Sequence, residues 1–324
     1  MAGAIWAVGE VVEGAPTRLT RELATLARQL GEAAALPVAA VLVGPDAAAA
    51  GALLAEHGPD VLAVEVDPGG RPTAAVIAER VAALVRERAP AFLLVGASND
   101  GKDVAGILQG LLDWGVLVNG AGVRWSDRGP QVEMSVFGGR LVTQSTFAAD
   151  RGIVIVRPSA ATAETAPAAG QVERVVVDPV TELAPVRVVD RVAEASATVP
   201  IEEASVIVAG GRGVGGPEGF AVVGELADAL GGVVGATRAV VDAGWIGYAH
   251  QIGQTGKSVK PQLYVAAGIS GAIQHKVGMQ TSGTIVAINR DPDAPIAEFA
   301  DMMVVGDLFE ILPRLTAAVR ARRG

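Results

Sequence analysis

The sequence predicts an α/β protein of two domains, each with a mostly parallel sheet covered by helices. Three observations carry that prediction. Over the first 150 residues, short apolar strands alternate with helical patterns, the rhythm of a parallel sheet sheltered on both faces. Residues 160–200 then turn to Ala, Pro, Thr, Glu and Val, which is linker composition. At residue 204 the chain starts afresh with a strand, a glycine-rich turn and a helix. A chain of 324 residues, half of them hydrophobic, is long enough for two domains of ordinary size.

The first strands, in order, are "GAIWAVGE" (3–10), "PVAAVLVG" (37–44), "VLAVEV" (61–66) and "AFLLVGAS" (91–98). Helical patterns fill the intervals at 17–31, 46–57, 73–88 and 102–114, and the fourth is announced by "SND" (98–100), residue types that cap helix N-termini. "QVEMSVFGGRLVTQSTFA" (131–148) alternates with period two across Gly138 and Gly139, which predicts an antiparallel hairpin. "GIVIVRPSA" (152–160) adds a strand, and an edge strand is expected at 172–177. The domain boundary is expected near residue 195. That gives a first domain of 1–194, with its linker over about 160–194, and a second of 195–324. In the second domain "VVGATRAVVDAG", "LYVAAGIS", "TIVAIN" and "MMVVGD" follow the glycine turn, each closing on Gly, Ser, Asn or Asp. Strands with such carboxyl ends are where open α/β sheets bind ligands.

Composition narrows the functional classes. Acidic residues number 35 and basic residues 26, for a net charge of −9 that repels polyanions, so nucleic acid is not an expected partner. With no cysteine, disulfides, thiolate metal sites and cysteine nucleophiles are excluded. No apolar run approaches the roughly 18 residues that cross a bilayer. "MAGAIWAVGEVVEGAPTRLT" reads as a first strand, not a signal peptide. The expected location is therefore the cytoplasm. The 22 Arg against 4 Lys point to a GC-rich bacterial genome. His57, His250 and His275 show no metal spacing, and no Ser-His-Asp order or acid pair argues for hydrolysis. Neither a metal nor a catalytic residue is expected.

Donor-rich turns are plentiful. Gly211-x-Gly213-x-x-Gly216 has the spacing of a dinucleotide-binding fingerprint between strand and helix. The acidic residue expected about 20 positions further on is missing, and a tight turn into a helix accounts for the glycines equally well. Arg212 within the turn suits a phosphate. Thr237 and Arg238 follow an apolar strand, where Arg238 serves either as a solvated loop charge or as a cation against a flat ring or anionic oxygen. "QIGQTGKSVKP" (251–261) brackets Gln254 and Thr255 with glycines, a compact polar loop that points to a ligand. In "GISGAIQH", Ser270 and Gly271 sit between strand and helix, where Ser270 can cap while free amides face an anion. His275, one helical turn on, reads locally as a structural histidine. Many donors with no evident nucleophile or base describe a site that holds a cofactor.

Taken together and in order, "GGRG", "GATRAVVDAGW", "IGQTGK", "YVAAGISGAIQHKVGM", "TIVAINRDPDAPI" and "VVGDL" resemble the FAD-binding domain of electron transfer flavoprotein alpha subunits. The first half resembles that family's first domain through "DGKDVAG" and "GGRLVTQ". Two features depart from the family pattern. A tyrosine is absent near Phe137, and "WIGYAHQIGQTG" (245–256) replaces the usual "PNDLQVGQTG" type. The resemblance implies a doubly wound FAD-binding second domain and a heterodimer with a beta subunit that pairs with the first domain. It implies no turnover of a substrate by the chain itself. Flavin dehydrogenases, such as acyl-CoA dehydrogenases, would be the electron donors, and a membrane quinone oxidoreductase or another acceptor would follow.

By the same resemblance, Arg212, Thr237, Arg238, Ile252, Gly253, Gln254, Thr255, Ser270, Gly271, Ala272, Ile273, Gln274, His275, Asn289, Asp307 and Leu308 would line the FAD. Arg238 would lie by the isoalloxazine and His275 would donate to its pyrimidine carbonyl. Thr255 and Gln254 would serve N5 and the ribityl chain. Ser270 and the amides after it would meet the pyrophosphate, and Asn289 and Asp307 the adenosine. The alternative is the dinucleotide-binding component of an enzyme of thiamine-dependent oxidase or transhydrogenase type.

Overall fold

The computed structural model describes residues 3–136, 141–180, 186–190, 201–202 and 204–323. Two compact units divide the chain, Met1–Arg191 and Val192–Gly324. The boundary expected near residue 195, Phe137 and the Gly138–Gly139 hairpin tip lie outside the described residues.

In the first unit β1 (Ile5–Gly9) is followed by the small hairpin of β2 (Val11–Val12) and β3 (Ala15–Pro16), then α1 (Arg18–Ala34) and β4 (Val38–Gly44). Next come α2 (Ala47–Ala55), β5 (Asp60–Glu65), α3 (Thr73–Arg88), β6 (Phe92–Gly96) and α4 (Asn99–Leu112). The unit closes with β7 (Val116–Ser126), β8 (Gly129–Val136), β9 (Leu141–Ser145), β10 (Gly152–Val156) and β11 (Val172–Arg174). Among the described residues nine of these strands form one sheet, ordered β11-β5-β4-β1-β6-β10-β7-β8-β9. Pairings from β11 to β7 are parallel, while β7–β8 and β8–β9 are antiparallel. β1, β6 and β10 are buried along their whole length, which is why they read as unbroken apolar runs. Alternate residues feed two cores. Trp6, Leu62 and Leu93 face one side, and Ile5, Leu42 and Leu94 the other.

Two departures from expectation have local causes. α4 begins at Asn99, three residues before the expected start, because Ser98 Oγ accepts the Gly101 amide at 2.8 Å and caps the helix. β7 has no counterpart in the sequence-based assignment. Its run "VLVNGAGVRWS" is broken by Asn119, Gly120 and Gly122, and pairing with β10 and β8 on its two sides holds it as a strand. At the far edge, β9 leaves Leu141 and Val142 more than half exposed.

The second unit contains β12 (Val206–Gly210), α5 (Phe220–Leu230), β13 (Val233–Thr237), α6 (Arg238–Val241) and β14 (Gln251–Ile252). It continues through β15 (Leu263–Ala267), α7 (Ile273–Met279), β16 (Thr284–Asn289), β17 (Met302–Val305) and α8 (Leu308–Arg323). Its sheet, ordered β14-β13-β12-β15-β16-β17, is parallel throughout. The chain winds from β12 out to β14, then crosses to the other side of β12 and winds out to β17. That doubly wound path puts a topological switch point between β12 and β15. Ile207, Tyr264 and Ala287 pack on one face, and Val208, Val265 and Ile288 on the other. Among the described residues no helix is long and apolar enough to cross a membrane.

Candidate functional site

A fully parallel sheet gathers the carboxyl ends of its strands along one edge. All the residues expected to line a cofactor lie at those ends, in the loops beyond them, or in the helical turns that follow. At the switch point the loops after β12 and β15 meet backbone to backbone. Gly211 N donates to Ala267 O at 3.0 Å and Gly213 N to Gly268 O at 3.0 Å. A Cβ on Gly213 would stand 2.6 Å from Gly268 Cα, and Gly268 itself has φ +62°. The glycines are therefore required for the approach of two loops. Short 3-10 turns at 212–214 and 217–219 precede α5, so the turn does not open directly into a helix as the dinucleotide fingerprint would have it. Arg212 stands exposed on this turn with no ion pair among the described residues.

Ser270 is also exposed, but it does not cap α7. Ala272 occupies the N-cap position and no side chain bonds there. The cause is the turn at Gly271, φ +92°, which packs against the Ile296 backbone while Ser270 O accepts from Ile296 N at 2.9 Å. The expected cap is thus corrected. The amides of Ser270 and Ala272 are left without a backbone partner among the described residues.

The polar loop after β14 is tied down from several directions. Gln254 N donates to Gln274 O at 2.7 Å, and Gly256 N to Gly253 O at 3.1 Å. Gln251, 3 % exposed, gives its carboxamide N–H groups to Thr255 O at 3.1 Å and Thr255 Oγ1 at 3.2 Å. The Tyr248 hydroxyl donates to the same carbonyl at 2.8 Å. The side chains of Gln254 and Thr255 remain exposed.

His275 departs furthest from expectation. It is buried, with Nδ1 3.0 Å from the Ile252 carbonyl and Nε2 2.8 Å from the Tyr264 hydroxyl. A carbonyl only accepts, so Nδ1 carries the hydrogen and Nε2 receives the Tyr264 O–H. Burial lowers the imidazole pKa to about 4, against the smaller opposing effect of the Ile252 bond, and the ring is neutral at pH 7. No ring N–H is left for a ligand. The expected donation to a flavin carbonyl is corrected by this arrangement, in which His275 fastens α7 to the end of β14.

At the outer ends, Asn289 Nδ2 donates to Ile269 O at 2.9 Å and its Oδ1 accepts from Asp291 N at 3.1 Å. Asp307 caps α8 by accepting from Phe309 N at 2.9 Å, and its other oxygen pairs with Arg290. These bonds, the backbone one foremost, hold its carboxyl below the usual range. On the opposite flank Arg238 Nε contacts Asp242 at 3.0 Å in an exposed i,i+4 pair, a weak type that leaves the guanidinium Nη groups to other partners. The Thr237 hydroxyl does not cap α6. Among the described residues no group of His, Asp and Glu is gathered as a metal site.

Tyr264, Gln251 and Tyr248 were missed from the sequence. Tyr264 carried a signal, since a lone tyrosine in an aliphatic strand must bury its hydroxyl against a partner. Gln251 carried little, because a glutamine beside a polar loop reads as part of the loop.

Comparison with known proteins now bears on the site. Residues 5–181 match the family model described as the electron transfer flavoprotein domain, and residues 200–280 match the electron transfer flavoprotein FAD-binding domain. The electron transfer flavoprotein subunit alpha of Mycobacterium leprae is 42% identical over 315 residues, covering 97% of this chain and 98% of that one. The same-named protein of Mycobacterium tuberculosis is 43% identical with the same coverage. That of Thermoanaerobacterium thermosaccharolyticum is 39% identical over 323 residues, 98% of this chain and 97% of its own. The chain belongs to the electron transfer flavoprotein alpha-subunit family. As a family member its cofactor is FAD, held by the second domain. The donor set on the sheet edge fits a dinucleotide. Among the described residues it offers a guanidinium without an ion pair at Arg212, loop amides without a backbone partner at Ser270 and Ala272, and exposed side chains at Gln254, Thr255 and Ser270. A solved structure of a putative thiamin diphosphate-dependent enzyme from Mycobacterium smegmatis aligns with 76% of this chain and 54% of that one. Its 13% identity and TM-score of 0.25 carry no argument.

Proposed function

We propose that this alpha subunit pairs with a beta subunit and carries electrons in the cytoplasm from flavin dehydrogenases, such as acyl-CoA dehydrogenases, to a downstream acceptor such as a membrane quinone oxidoreductase. It turns over no substrate of its own. Bound FAD supplies the redox chemistry; the chain supplies position, charge and hydrogen bonds. Arg212 and the amides of Ser270 to Ala272 serve the diphosphate. Gln254 and Thr255 serve the ring or ribityl chain. Arg238, whose Nη groups are left open by its exposed pair with Asp242, would supply positive charge that favours an electron-rich flavin. Each charge-assisted hydrogen bond is worth about 1.5–3 kcal/mol. Asn289, Asp307 and Leu308 would bound the adenosine end, where each Asp307 oxygen, already accepting one bond, keeps a lone pair for a further donor.

One observation carries the proposal. A single edge of one parallel sheet gathers hydrogen-bond donors from several strand ends, on the loops where an open α/β sheet holds its ligand. The test is to co-express the chain with its beta-type partner, count flavin and add a reduced flavin dehydrogenase without oxygen. One FAD in this subunit, reduced by the dehydrogenase and reoxidised by an acceptor dye, is the expected result. A colourless pair that binds NAD instead would overturn the proposal.

A further inference from the structure

We propose that Gln251 is a positioning residue that fixes the Thr255 hydroxyl as a hydrogen-bond donor to the cofactor, with Tyr248 bracing the same peptide. The inference rests on the FAD-site reading above.

Gln251 opens β14 and is buried, yet its carboxamide reaches forward four residues to Thr255 O at 3.1 Å and Oγ1 at 3.2 Å. Thr255 O can only accept, so it is the carboxamide nitrogen that faces it, and the same nitrogen supplies the second hydrogen to Oγ1. A hydroxyl that accepts at its oxygen still holds its own hydrogen. Thr255 is exposed at the cofactor edge, so that hydrogen is directed outward, and the ligand atom that meets it must be an acceptor. The carbonyl cannot swing away. It takes a second bond from the Tyr248 hydroxyl at 2.8 Å, which uses both of its lone pairs. Gly256 closes the loop so tightly that a Cβ there would sit 2.4 Å from Gln251 O. Tyr248 is 57% exposed, so water competes for its bond, and the buried Gln251 dominates the orientation.

The experiment measures the midpoint potential of FAD in the co-expressed pair for Thr255→Val, Gln251→Leu and the double variant. If Gln251 acts through the hydroxyl, both single variants shift the potential in the same direction. The shift is about threefold to tenfold in the one-electron equilibrium, the upper end being about 59 mV. The double variant then shifts no further than Thr255→Val alone. Additive shifts, or a Gln251→Leu potential equal to wild type, overturn the inference. Should the leucine variant fail to hold flavin, Gln251→Met, of similar length and equally unable to donate, takes its place in the cycle. A wild-type pair without FAD overturns the site reading and this inference together, whereas additive shifts in flavin-bearing variants overturn only the inference.

Discussion

Neutrality of the His275 ring follows from its surroundings. Among the described residues the one titratable side chain bonded to it, Tyr264, is itself fully buried and keeps its proton, with burial pushing its pKa up. No ionised group contributes to the lowering of the His275 pKa, which comes from burial. A histidine near pKa 6.5 unfolded and about 4 folded binds its proton more readily in the unfolded chain. Its contribution to stability is complete above pH 6.5 and drains away as pH falls through 6.5 towards 4, by roughly 3 kcal/mol in all. In urea unfolding, wild type is therefore expected to lose more stability between pH 7.5 and 5 than His275→Gln, although the variant starts less stable. Equal losses would show that the ring is not held neutral. A single histidine after a glycine–serine turn could be placed from sequence, but not its orientation. That depends on Tyr264 and Ile252, which stand 11 and 23 residues away.

Loops at the switch point set the tolerance of the site to change. Gly268 and Gly215 both have positive φ, +62° and +77°, but only Gly268 has the backbone of another loop against it. Gly215→Ala should cost about 1–2 kcal/mol for the left-handed conformation alone. Gly268→Ala should cost at least about 3 kcal/mol and should empty the site of FAD, as read by thermal unfolding and flavin content. Comparable effects of the two would remove close approach as the reason for the glycines. Most elements here were legible because the strands are buried on both faces and punctuated by Gly, Asn or Asp. β7 was not. Its pattern is half buried and glycine-broken, and long-range pairing overrides weak local preference. α4 was found but begun late, since the helical pattern of its apolar residues starts after the cap that Ser98 provides.

Each unit buries its own pair of cores, so the chain should unfold as more than one cooperative body. FAD binds the second unit, and a ligand stabilises only what it binds, by about 2.7 kcal/mol at a hundredfold excess over Kd. Calorimetry with and without added FAD should therefore raise one transition and leave the other in place, with a common shift of both refuting their independence. The first unit also carries a liability. β9 ends the nine-stranded sheet with no described strand beyond it and holds Leu141 and Val142 out to solvent. A row of unsatisfied peptide groups beside bare aliphatic side chains is a template on which identical chains can stack. The practical outcome concerns manufacture. A chain made alone would tend towards inclusion bodies, and a lysine at position 142 would act as a gatekeeper against that loss of yield.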